Sequence, residues 1–162
     1  MKKLIIAALV ALAIPAMAEI VTFDFTGAVD NWTEDPKTDV TVGVNDTYTL
    51  TGVNRCYTTA GAAALIQTPN VYTGAPQVST ITIAGTSGNI NFILQSVDLS
   101  LGGGAVVDGT VVGMLGGVAQ YTITFPAQGL TTMTPSVSTA VDSLVWTTDS
   151  TSWGQVMDNV VV

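Results

Sequence analysis

From Glu19 onward the chain alternates apolar and polar residues with period two, in short runs broken by Gly, Asn, Asp and Pro. Nowhere does it show the spacing of about 3.6 residues that would build an apolar stripe on a helix. Thr, Val and Gly dominate the runs, and the β-branched residues favour a pleated, half-buried surface. In residues 20–25, Val21, Phe23 and Phe25 share one face. In 78–84, Ile81 and Ile83 share one face, and Val78, Thr80 and Thr82 the other. Such a chain buries its apolar faces only by laying one sheet on another.

The pattern places strands at 20–25, 40–44, 47–53, 78–84, 89–101, 106–114, 118–125, 141–147 and 155–162. Asn45-Asp46 forms one hairpin turn and Gly116-Gly117 another. In 89–101 the phase changes. Ile90, Phe92 and Leu94 keep one parity, and Val97, Leu99 and Leu101 the other. A bulge or bend is expected near Gln95-Ser96, where the chain passes a corner of the sandwich. Residues 54–76 are less regular, and Ala60–Ala64 reads either as a short helical turn or as a tightly packed strand. Residues 126–138 read as a polar loop. With every connection short, nine or ten strands form an all-β, antiparallel two-sheet sandwich.

Residues 1–18 stand apart from this pattern. Lys2 and Lys3 precede the apolar run of residues 4–14, which is too short to span a bilayer. Pro15 ends the run, and Ala16-Met17-Ala18 has the small-x-small form that precedes cleavage. The expectation is a cleavable signal peptide, a single domain over 19–162, and a secreted protein, periplasmic or extracellular. No later apolar stretch reaches membrane-spanning length.

Removing Lys2 and Lys3 takes the formal net charge from −8 to −10 and leaves Lys37 and Arg55 as the only cations. Such a surface repels nucleic acid and anionic lipid and attracts divalent cations. The chain has no histidine, the commonest general base and metal ligand. Glu19 and Glu34 are its only glutamates, and no pair of carboxylates sits in a context expected of a glycosidase. No nucleophile elbow is present. The Gly runs at Gly102 and Gly116 lack the following Lys of a phosphate cradle. The reading is therefore of a protein that is not an enzyme. Cys56, the single cysteine, closes no internal disulfide and is read as a buried thiol. Asn31-Trp32-Thr33 and Asn45-Asp46-Thr47 match the glycosylation sequon, which matters only in a host that uses it.

Two groups of residues are candidates for binding. Trp32 and Tyr57, like Tyr72 and Trp153, fall in stretches read as loops, where a ring can stack on a sugar face. Glu34 and Asp35 beside Trp32 are placed to bind hydroxyls. Trp146, alternating inside a strand, reads as core. In residues 156–162 apolar side chains occupy both parities, so Asp158 or Asn159 is expected to face low-dielectric surroundings, where a carboxylate needs a partner, a cation or a shifted pKa.

Four segments together carry a family resemblance: Phe23-Asp24-Phe25, residues 91–99, Val141-Asp142-Ser143-Leu144-Val145-Trp146, and Met157-Asp158-Asn159-Val160-Val161-Val162. They resemble the jelly-roll modules of secreted bacterial proteins, which are similar to carbohydrate-binding domains and to exported proteins with C-terminal sorting tails. The resemblance implies a jelly-roll sandwich that binds a glycan or surface polymer without catalysis. It also implies a structural calcium ion held by Asp158 beside the first strand, with Asp24 as a second ligand. Two departures stand out: no sorting tail follows, and Asp24 shares the parity of Ile20 and Thr22 rather than that of the Phe residues. The alternative function is a structural subunit of a matrix, envelope layer or filament, in which low charge and open β edges favour self-assembly.

Overall fold

The computed structural model describes residues 19–25, 39–44, 47–53, 56–58, 65–67, 77–101, 109–126, 129–148 and 155–162. They form thirteen strands and no helix. These are β1 (Thr22–Phe23), β2 (Asp39–Val44), β3 (Thr49–Val53), β4 (Cys56–Thr58), β5 (Leu65–Gln67), β6 (Gln77–Gly85) and β7 (Gly88–Asn89), followed by β8 (Ser96–Leu101), β9 (Gly109–Leu115), β10 (Val118–Phe125), β11 (Thr131–Met133), β12 (Ser143–Thr148) and β13 (Gln155–Val161). No helix among the described residues is long and apolar enough to cross a membrane.

The strands make two sheets. One runs β11-β8-β13-β5-β4, with β1 added against β13. The other runs β10-β9-β12-β6-β3-β2, with β7 added against β6. The ladders are antiparallel. The architecture is the all-β two-sheet sandwich that the alternation predicts. Phe23, Leu99 and Met157 from the first sheet meet Leu50, Ile81, Leu144 and Trp146 from the second in one core. Trp146 is fully buried, as its parity requires.

The strand count exceeds nine or ten because several short strands lie where the sequence shows little alternation. Tyr57, read as loop, lies in β4, where its backbone pairs with Ile66. Thr131–Met133, within the stretch read as a polar loop, forms β11 against β8. Three residues are too few for a period of two to show. The 45–46 turn and Ala60–Ala64 lie outside the described residues.

Two irregularities shape the first sheet. Phe92 still bridges Val141 beside the second sheet, while Gln95 N–H donates to Val161 O at 2.7 Å in the first. The chain thus changes sheets between Phe92 and Ser96, where the phase of its buried residues switches. The second irregularity is in β13. Its register with β8 slips between Asp158 and Val161, and Asn159 takes a φ of 45°. This bulge lets Met157 and Val160 both face the core and leaves Asp158 and Asn159 half-buried on the outer side. The two buried faces inferred for 156–162 are therefore one buried face interrupted by a bulge.

In the second sheet, large rings lie over glycines. Phe125 pairs with Gly109 and Tyr121 with Gly113. A Cβ at either glycine would come within 2.3 Å of the ring opposite. The rings fill the space that the missing side chains leave on the buried face. Gly116 and Gly117, with φ of 57° and 79°, close this hairpin in the left-handed conformation that a two-residue turn demands.

Candidate functional site

The sheet-crossing segment and residues 19–21 border a cleft of about 330 Å³. One wall is the segment leading into β1. Val21 and Val162 exchange backbone hydrogen bonds of 2.8 and 2.9 Å, which holds Glu19 and Ile20 at the rim. The facing wall is the crossing itself, where Phe92 and Val141 exchange two bonds of 2.8 Å. Here the backbone still alternates, so Phe92 and Leu94 enter the core while Asn91, Ile93 and Gln95 face outward. The period of two thus places two amides, with an apolar side chain between them, along one wall.

Tyr48 and Ile90 complete the cleft. Tyr48 is half-buried, and a Cβ at Gly85 would meet its ring and Ile90 at 3.5 Å each. The Tyr48 ring thus lies beside the end of β6, within ordinary contact distance of Gly85. The result is an apolar floor, one phenol ring, two amides and the Glu19 carboxylate at the rim. Predominantly apolar lining with a few convergent polar groups is the usual make-up of a small-ligand site. A sugar matches it well, with C–H faces for the apolar surface and hydroxyls for amides and carboxylate.

A second cluster lies on the outer side of β8 and β13. Asp98 and Asp158 are directly opposite in the ladder. Asp98 accepts Thr132 Oγ1 at 2.5 Å on one oxygen and Asn159 Nδ2 at 2.8 Å on the other. Asp158 Oδ1 accepts the backbone N–H of Asn159 at 2.7 Å. Partial burial pushes the Asp158 carboxyl above the usual carboxylate range. The Asn159 N–H opposes that shift, and the negative charges of Asp98 and Asp24 add to it. Asp24, just after β1, is exposed between buried Phe23 and Phe25. Among the described residues, no group of three or more His, Cys, Asp or Glu is gathered to hold a metal ion. A cation at Asp158 would therefore need backbone carbonyls and water to fill its shell.

Of the residues singled out from sequence, Trp32, Glu34 and Asp35 lie outside the described residues, and Tyr57 is placed only through its backbone in β4. Asp158 and Asp24 are brought close enough for their charges to interact. The cleft residues Tyr48, Asn91 and Gln95 were not foreseen, because each is unremarkable in sequence and only the sheet crossing assembles them.

No family model matches the chain, and no curated protein matches it. Among solved structures, it is similar to a mutant of CBM29-2, reported in a study of ligand recognition by family 29 carbohydrate-binding modules. The likeness has a TM-score of 0.45 and 13% sequence identity, and covers 89% of this chain and 91% of that one.

Proposed function

We propose that the protein is a secreted, non-catalytic binding module that takes a glycan or another surface polymer into the cleft beside Tyr48. The observation that carries this reading is the cleft itself, about 330 Å³ with the Tyr48 ring at its edge and the outward amides of Asn91 and Gln95 on one wall. That volume admits one or two sugar rings, which fits the end or a short stretch of a chain. Trp32, Glu34, Asp35 and Tyr57 stay in the proposal as a separate set of candidate contacts, resting on residue type and sequence position alone.

Electrophoresis through gels containing each of a panel of neutral and acidic polysaccharides tests this. At least one polymer should retard the protein, and Tyr48→Ala should abolish most of the retardation, because a stacked ring carries much of the contact. Loss with Trp32→Ala but not Tyr48→Ala would move the site to the other set. Unchanged mobility with every polymer would remove the glycan reading.

A structural calcium ion at Asp158, with Asp24 beside it, is the second element of the proposal. Support comes from the surroundings of Asp158, where partial burial and the nearby charges of Asp98 and Asp24 disfavour its carboxylate, a cost that a bound cation would relieve. Thermal unfolding with calcium should then show a higher midpoint than with a chelator, and Asp158→Ala should erase the difference. Identical midpoints in the unmodified protein would remove calcium and leave the cleft reading intact.

A further inference from the structure

The second sheet ends in an edge strand that carries little of the usual protection against pairing. β10 is eight residues long, with sequence Val-Ala-Gln-Tyr-Thr-Ile-Thr-Phe, and holds no charge and no proline. Among the described residues only β9 pairs with it. The other edges are different. β4 and β11 have three residues each, and β2 begins with Asp39 and is broken by an irregularity between Thr41 and Val44. Charges, prolines, shortness and bulges are the devices that keep sheet edges from pairing with other chains. β10 has only the bulge between Ala119 and Tyr121, near its start.

We propose that β10 is an interaction edge whose partner is β10 of a second copy of this chain, joined antiparallel about a two-fold axis. The strand is suited to meeting itself. A two-fold centred on Thr122 sets Thr122 against Thr122, Gln120 against Thr124 and Tyr121 against Ile123. The bulge between Ala119 and Tyr121 lies on the N-terminal side of this axis in each copy, and the regular run from Tyr121 to Phe125 forms the centre of the pairing. Every facing pair is uncharged. Because pairs of equal parity face each other, the buried faces of both copies stay on the same side and the two second sheets become one continuous sheet. Exposed Thr122 and Thr124 line the outer face, where Thr–Thr pairs favour strand pairing. A chain with a net charge of −8 repels its own copies over most of its surface, and this strip carries none of that charge.

Sedimentation velocity over a concentration series tests this with the purified protein. A single strand pair is a small interface, so the expected dimer dissociates between about 1 μM and 1 mM. Thr122→Lys would set two ammonium groups against each other at the centre of the interface. It should raise the dissociation midpoint at least about ten-fold, as a like-charge pair within a small interface does. Thr82→Lys adds the same charge on central strand β6 and should leave the midpoint unchanged. Gln120→Glu combined with Thr124→Lys places a carboxylate opposite an ammonium twice across the axis, and should dimerise more tightly than either single change. A monomer throughout the range, or a dimer indifferent to Thr122→Lys, would overturn the proposal. So would a double variant no tighter than its parents. Folding of each variant is checked by its melting curve, so that a lost dimer is not confused with a lost fold.

Discussion

The β9–β10 ladder of one sheet and the β8–β13 ladder of the other are both antiparallel and each has a carboxylate against it, at the turn of the first and within the second, yet the two charges meet opposite surroundings. At the β9–β10 turn, Asp142 accepts the Gly116 N–H at 2.6 Å and the Ser143 hydroxyl at 2.8 Å. These bonds hold its carboxyl below the usual range. In β8–β13, Asp98 and Asp158 face each other, and Asp158 is pushed up. One carboxylate completes a turn, and the other sits where partial burial, with the charges of Asp98 and Asp24 added, disfavours its ionised form. A carboxylate whose ionised form its surroundings disfavour points to a role outside the fold. On that ground the calcium proposal attaches to the β8–β13 seam and not to the hairpin.

The hairpin is the place to expect the largest effect of a single change. Val in place of Gly113 or Gly109 would put a branched side chain where a Cβ already lies 2.3 Å from a ring carbon. The ring cannot retreat, because Phe125 is fully buried and Tyr121 nearly so. Urea unfolding of Gly113→Val should show a loss of about 1–3 kcal/mol, the usual cost of overpacking. A loss below about 0.5 kcal/mol would mean that the rings do not depend on the glycines, and would remove the contrast between a well-fitted ladder and a strained one.

The same two ladders show which features are legible in sequence. Alternation in 118–125 and the Gly116-Gly117 pair give the hairpin directly, because a period of two and a left-handed turn are local properties. The crossing at Gln95-Ser96 is legible for the same reason, since a change of phase within one segment needs no partner to be seen. The bulge at Asn159 is hidden because apolar residues occupy both parities of 156–162, so the pattern has no phase to lose. The facing of Asp98 and Asp158 is hidden for another reason: register between distant strands is set by tertiary packing, and the Asn159–Asp98 hydrogen bond spans 61 residues. The cleft shares that difficulty. Tyr48, Asn91 and Glu19 come from separate segments, and an exposed Ile93 between two outward amides is its only local trace.

The smallest expected effect is also the one that separates the two carboxylates most directly, because their contributions to stability run in opposite directions with pH. Asp158 has a raised folded pKa. Between its unfolded and folded values the native protein binds more protons, so stability falls as pH rises through that window and the full cost is present at neutral pH. Asp142 has a lowered folded pKa. Its contribution is full above the unfolded value and is lost as pH falls through the folded one. At neutral pH without calcium, Asp158→Asn should therefore unfold at a higher temperature than the unmodified protein, by the equivalent of about 0.2–1 kcal/mol for removing a like-charge cross-strand pair. Asp142→Asn should unfold at a lower temperature. Acidification through the carboxylate range should shrink both differences toward zero, from opposite sides. Melting curves of the three proteins at matched pH test this. Two differences of the same sign at neutral pH would mean that Asp158 is stabilising in place, with its charge compensated by groups other than those that now face it.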